Sequence, residues 1–191
     1  RLIVGAEIED GQNRVVALTK NRAGFENLSQ LISARHLNPD TFSLIDKIKE
    51  HHEGLVLMSD SPALLQAYHA VHGIDLYVLC VAGPSARASI RLARELNLPP
   101  VASNDVYFVR PRDFSVHHTL RAIDLNLARS RVPVEQIAAP EASLTTPEEM
   151  AAAFPNAPDA LENTGKIARK CQYDAKKRGF VFPGFHIPQG Y

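Results

Sequence analysis

The chain has 191 residues, is 45% hydrophobic and carries a formal net charge of zero. That length can bury roughly 70% of the unfolded surface in one core without disulfides, and the charge balance excludes a general electrostatic pull toward nucleic acid or anionic membrane. Cys80 and Cys171 form no C-x-x-C pattern and no apolar run is long enough to span a bilayer, which argues against a zinc knuckle and a membrane partner and for a reduced, cytoplasmic protein.

In chain order, residues 2–9 and 14–19 are short apolar runs joined by Asp10-Gly11-Gln12-Asn13, the chemistry of a hairpin turn. Asn21 is placed to cap a helix through Ala34 with Phe25, Leu28, Leu31 and Ile32 on one face. Pro39 opens a second helix carrying Phe42, Ile45 and Ile48. Residues 54–59 read as a buried strand, 62–72 as a helix, 74–81 as a strand, 84–97 as a helix and 101–103 as a short strand. A helix over about 113–127 follows, then two more that open at Thr146-Pro147 and Pro158. Strands separated by helices of this length imply βαβ units and a parallel sheet or barrel. Opening on Arg1 and an apolar stretch, and closing on residues 182–188, the sequence is expected to be a piece of something longer.

Ligands in parallel α/β folds gather at the carboxyl ends of strands, where this chain places Glu7, Ser59, Ser61, Asn104 and Asp105. Two carboxylates there could hold a hard cation or move a proton. In the alternative reading Asp105 caps a loop or helix and Glu7 is a hairpin surface residue, since spacing does not fix the two close together. His69 and His72 stand at i, i+3 but have no carboxylate or thiol in register, and His51-His52 and His117-His118 are adjacent pairs that cannot chelate alone. The basic run Lys166, Arg169, Lys170, Lys176, Lys177, Arg178 could meet phosphates or simply be solvated. No phosphate-binding glycine loop or nucleophile elbow is present.

Glu7 within Val4-Gly5-Ala6-Glu7-Ile8, the strand Arg14 through Asn21, and Gly24-Phe25-Glu26-Asn27-Leu28-Ser29-Gln30-Leu31-Ile32-Ser33 together resemble the PHP (polymerase and histidinol phosphatase) domain of bacterial DNA polymerase III alpha subunits. The likeness continues through Glu53–Ser59, Leu98–Val106, His117-x-x-Leu120-Arg121-Ala122-Ile123, Glu148-Glu149-Met150, Ala160-Leu161-Glu162-Asn163-Thr164 and Phe182-Pro183-x-Phe185-x-Ile187-Pro188.

The resemblance implies a partial PHP-type (β/α)7 TIM-like barrel over residues 1–140, with a helical tail and linker over 141–191 leading toward the polymerase palm. It implies a cluster of divalent metals, zinc or manganese, in active members, and magnesium in the palm of the whole polymerase. By position Glu7 matches the family's glutamate ligand and Asp105 the aspartate of its D-x-H pair. The histidine of that pair is Tyr107 here, the histidine before the second strand is replaced by Arg14 or Val15, the cysteine after the third strand is missing from Ser59-Asp60-Ser61, and a glutamate of the next strand falls at Leu79. Too few donors are left for a transition metal. The expectation is therefore a non-catalytic module with no cofactor of its own. Its partners would be the palm and thumb of the same chain, and it would meet DNA only through the parent. The competing expectation is a metal-dependent phosphoesterase or 3′–5′ proofreading exonuclease completed by motifs elsewhere. Open sheet edges at residues 2–19 would promote self-association of this stretch.

Overall fold

The computed structural model describes residues 2–175; Lys176, Lys177, Arg178 and the stretch 182–188 lie outside the described residues. Strand β1 (Gly5–Glu9) turns into β2 (Arg14–Thr19) as a hairpin, and the turn is fixed by Asp10. Its carboxylate accepts from the backbone N–H of Gln12 at 3.0 Å and of Asn13 at 2.7 Å, with Gly11 at φ +85°. The same carboxylate accepts from Leu44 N–H at 2.9 Å. Burial would raise the Asp10 carboxyl, but these N–H groups hold it below its usual value.

Helix α1 (Arg22–Leu37) starts where Asn21 accepts from Gly24 N–H at 3.0 Å, and runs past Ala34 to Leu37. The helix expected at Pro39 begins later, as α2 (Leu44–Glu50) capped by Ser43, because Asn38–Thr41 form a turn. The rest alternates: β3 (Leu55–Ser59), α3 (Pro62–Tyr68), β4 (Leu76–Val81), α4 (Ala86–Glu95), β5 (Pro100–Ser103), α5 (Phe114–Asp124), α6 (Pro147–Ala153) and α7 (Pro158–Lys170). Ending at Tyr68, α3 does not carry His69 and His72 on a common helical face.

The strands form one sheet in the order β1-β2-β3-β4-β5, antiparallel through the first three and parallel from β3 to β5. Val15, Ala17, Leu57 and Val78 bury against α1–α4 in the larger core, which Phe154, Ala157 and Ala160 complete. On the opposite face Val56, Met58, Tyr77, Leu79 and Val101 meet Ile167 and Cys171 of the α7 end. Cover on both faces explains why β3 and β4 read as unbroken apolar runs. Cys80 lies in this interior, its thiol pushed up to about 11 by burial, and is chemically quiet.

The (β/α)7 barrel expected from the resemblance is not formed: the described residues build an open, mixed, five-stranded sheet. Closure would need β1 and β5 to find partners. Instead the outer side of β5 is taken by α7, whose Asn163 amide donates to Pro100 C=O at 2.7 Å. The first two strands form an antiparallel hairpin rather than a βαβ unit. In the hairpin Val15 and Ala17 are fully buried and Val16 and Leu18 half-buried, while Leu2 is exposed. No helix of the described residues is long and apolar enough to cross a membrane.

The start of α1 sits directly on the turn before β3. A Cβ on Gly24 would lie 2.0 Å from Gly54 C=O, whereas one on Gly11 would meet nothing within 4 Å. Gly24→Ala is expected to lower stability by about 2–3 kcal/mol through overpacking, and Gly11→Ala by about 1 kcal/mol or less through its positive φ alone. Equilibrium urea denaturation of both variants measures the contrast; equal losses would contradict the close approach.

Candidate functional site

The carboxyl ends of β3 and β5 and the start of β2 meet at one guanidinium. Arg14 opens β2 directly after the hairpin turn, and its backbone is locked to the end of β3: its N–H donates to Ser61 Oγ at 2.9 Å and its C=O accepts from Ser59 Oγ. Ser59 Oγ in turn accepts from Ser61 N–H at 3.1 Å. Ser59 is buried, and these bonds satisfy its hydroxyl.

With its backbone held, the Arg14 side chain runs along the β3 end to Asp60. Nη2 lies 2.8 Å from Oδ2 and Nε 3.4 Å from Oδ1, a two-pronged contact. Nη1 lies 3.5 Å from Glu7 Oε1 and 3.9 Å from Asp105 Oδ2. Asp105 is aimed inward by a left-handed backbone, φ +46°, that few residues other than Gly, Asn and Asp adopt readily. Its N–H is held at 3.0 Å by Ser103 Oγ, and the Asn104 amide ties the same loop to Ser143 C=O at 2.6 Å. The Asp60 hydrogen bond raises the Arg14 guanidinium further above its ordinary value, against the opposing effect of burial, and the charges of Asp60, Glu7 and Asp105 add to the rise.

Glu7 and Asp105, both expected at strand ends, are thus brought together, but around a cation of the chain itself; Asp105 does follow β5, whereas Glu7 lies in the middle of β1, opposite Val16. Asp60 joins them, and sequence reading passed over it. The signal was available: Asp60 directly follows β3 as Asn104-Asp105 follows β5. Among the described residues no group of three or more His, Cys, Asp or Glu is arranged to hold a metal ion. The three carboxylates have no imidazole or thiolate among them, and each lies within 4 Å of the Arg14 guanidinium. This donor set does not fit the multinuclear zinc or manganese cluster that the resemblance implies.

Beside Asp105 opens a cleft of about 580 Å³ lined by Tyr107, His117, Arg121 and residues 135–139. The rings of Tyr107 and His117 meet edge to face, centroids 5.4 Å apart. His117 Nε2 accepts from Ala138 N–H at 3.0 Å. Burial, then the charges of Arg121 and His118, hold the imidazole below its ordinary value. Arg121 spans the cleft wall, donating to Gln136 C=O at 2.9 Å and to its Oε1 at 2.6 Å. Burial, with the charges of Asp105 and Glu7, raises the Tyr107 phenol. A phenol kept protonated and an imidazole whose acceptor nitrogen is already engaged serve to close this wall. Of the basic run seen in the sequence, Lys170 pairs with Asp75 at 2.7 Å and bonds Tyr77 Oη at 3.0 Å, so it anchors α7 to β4.

No family model matches the chain. Its sequence is similar to DNA polymerase III subunit alpha of Caulobacter vibrioides, 30% identical over an alignment of 203 positions that covers 92% of this chain and 18% of that protein. It is likewise similar to the subunits of Pseudomonas aeruginosa, 29% over 222 residues, and Escherichia coli, 27% over 217 residues, covering 98% and 96% of this chain. The chain spans less than a fifth of the length of these relatives.

Two outcomes follow for the site. Arg14→Met leaves three partly exposed carboxylates facing one another, and is expected to cost about 1–2 kcal/mol, more at low salt. Arg14→Lys, which keeps the charge but not the planar fork, should recover only part of the loss. Denaturant titration at two salt concentrations reads both, and a stable Arg14→Met would contradict the bridging role. For His117 the folded-state value lies below the unfolded one, so the unfolded chain binds the extra proton as pH falls through the ordinary imidazole range near 6.5. The wild type should therefore lose more stability between pH 8 and 6 than His117→Gln does; parallel thermal-melt profiles would contradict the bonded imidazole.

Proposed function

We propose that the chain is a segment of a DNA polymerase III alpha-type protein. In this reading it is a PHP-derived module that supports the polymerase core and does no hydrolysis itself. Nucleotidyl transfer by the parent would use carboxylates that this stretch does not contain, and residues 141–191 would lead onward to the palm. Similarity to alpha subunits along nearly the whole chain supports the polymerase assignment. The observation that carries the non-catalytic role is Arg14, whose guanidinium takes up Glu7, Asp60 and Asp105 as ion-pair partners. Metal-assisted phosphodiester cleavage needs an ion to lower the pKa of bound water and to clamp the reacting oxygens. Carboxylates already committed to an arginine supply neither.

A supporting role also needs a face that meets the rest of a large protein, and α5 offers one. Val116, Leu120 and Ile123 follow one another at i, i+4, i+7, each more than half exposed. Val106, Val109, Val134 and Leu144, also exposed, belong to the same stretch of chain. Apolar residues left open in this density mark a contact surface, and the palm or thumb of the same polymerase is the proposed occupant. A cytoplasmic location goes with this reading.

The test is the metal content and phosphodiesterase activity of the purified chain. After gentle purification it is expected to carry no stoichiometric zinc, manganese or iron. With added manganese it is expected to cleave neither single-stranded DNA nor a chromogenic phosphodiester. One or more tightly held ions per chain, or turnover that disappears in Asp105→Ala, would overturn the non-catalytic reading in favour of the phosphoesterase or exonuclease one.

A further inference from the structure

Although the chain is neutral overall, its charge is not evenly spread. Helix α4 presents Arg87, Arg91 and Arg94 at i, i+4, i+7, all exposed, while Ala86 and Ala93 are buried in the core. Two clefts of about 560 and 400 Å³ run along this helix. They share Ile90 and Arg94 and so form one groove, which reaches Lys166 of α7. The lining holds four cations, Arg87, Arg91, Arg94 and Lys166, and a single carboxylate, Asp159.

The groove is also preorganised. Arg94 Nη2 donates to Asn156 C=O at 3.1 Å, and Lys166 Nζ donates to Asn163 Oδ1 at 3.0 Å, so both heads are held at the walls by neutral acceptors. The ion pairs here are loose and solvent-exposed, Arg91 to Glu95 at 3.6 Å and Lys166 to Glu162 at 3.8 Å. Pairs of that kind contribute about 0–1 kcal/mol and yield readily to a better anion. The floor, from Ile90 and Ala93 to Leu98, Pro99 and Pro100, is apolar and contains no aromatic ring.

We propose that this α4–α7 groove binds the phosphodiester backbone of a nucleic acid without reading its bases. Arginines spread over seven residues of helix cover about 10 Å, which matches roughly three phosphates at about 3.4 Å of rise per nucleotide. With no ring to stack on and no groove-reading helix, the contact carries charge but no sequence preference. This differs from the Lys166–Arg178 run noted in the sequence: Lys170 is spent on Asp75, and only Lys166 of that run's described cations lines the groove. The inference does not rest on the non-catalytic reading, because the groove lining contains none of Glu7, Arg14, Asp60 and Asp105, so the two can fail separately.

Fluorescence anisotropy of a labelled oligothymidylate 20-mer with the whole chain tests it. At low salt a dissociation constant in the range of about 1–100 µM is expected, with a log–log salt slope near −2 for about three phosphates on a single strand. The triple variant Arg87→Gln, Arg91→Gln, Arg94→Gln changes only exposed side chains, so circular dichroism and melting should match the wild type, while affinity falls at least tenfold and the slope flattens. Arg129→Gln with Arg131→Gln, on a separate exposed turn, should leave binding unchanged. Wild type that fails to bind at low salt, or a folded triple variant that binds as well as wild type, would overturn the proposal. So would inorganic phosphate competing better than chloride at equal ionic strength, which would mark a simple anion site. Tighter binding to phosphatidylserine vesicles than to the oligonucleotide would overturn it as well.

Discussion

One arginine joins the two halves of this sheet at the end where a parallel α/β fold normally does its chemistry. Strand β2 runs antiparallel to both β1 and β3, and β3 to β5 run parallel. The end of β3 is fastened to the hairpin through the backbone of Arg14, by way of Ser59 and Ser61. The side chain then reaches Glu7 on β1, Asp60 beyond β3 and Asp105 beyond β5. Three carboxylates crowded around one point would repel one another in the absence of a cation. In metal enzymes an ion supplies that charge; here the sequence supplies it covalently, with a planar fork suited to carboxylates. A guanidinium that is part of the chain cannot dissociate as a bound ion does, so the positive charge beside these carboxylates is permanent.

Much of the local structure was legible in the sequence because it is set by short-range chemistry. The Asp10-Gly11 turn, the Asn21 cap and the alternation of apolar runs with helices depend on a few neighbouring residues, and they stand as read, apart from end shifts such as α3 stopping at Tyr68. Closure of the sheet depends on which surface reaches the edge of β5 first. No pattern within β5 reports that Asn163, far along the chain, will bond Pro100 C=O. The barrel expectation came from the resemblance rather than from periodicity, and periodicity alone left a parallel sheet open as an alternative.

The candidate site divides in the same way. Asp105 could be placed beyond a strand end from the sequence, whereas Glu7, read as a strand end, lies mid-strand in β1, and the meeting of the two around Arg14 depends on the folded sheet. Arg14 was visible only as one of two positions, with Val15, where a histidine was expected. Its meaning lies in its contacts with Asp60, the residue that the strand-end argument should also have flagged. The basic ridge of α4 was hidden by a net charge of zero: composition averages over the surface, and only folding sets Arg87, Arg91, Arg94 and Lys166 along one groove.

The central claim is that Arg14 and the carboxylates form one coupled electrostatic unit rather than a set of incidental surface pairs. A double-mutant cycle tests it most directly, comparing Arg14→Met, Asp60→Asn and the double variant by equilibrium denaturation. A coupling energy of about 1 kcal/mol or more, above the usual range for exposed pairs, is the result this account predicts. Additive losses, with coupling within about 0.3 kcal/mol of zero, would contradict it.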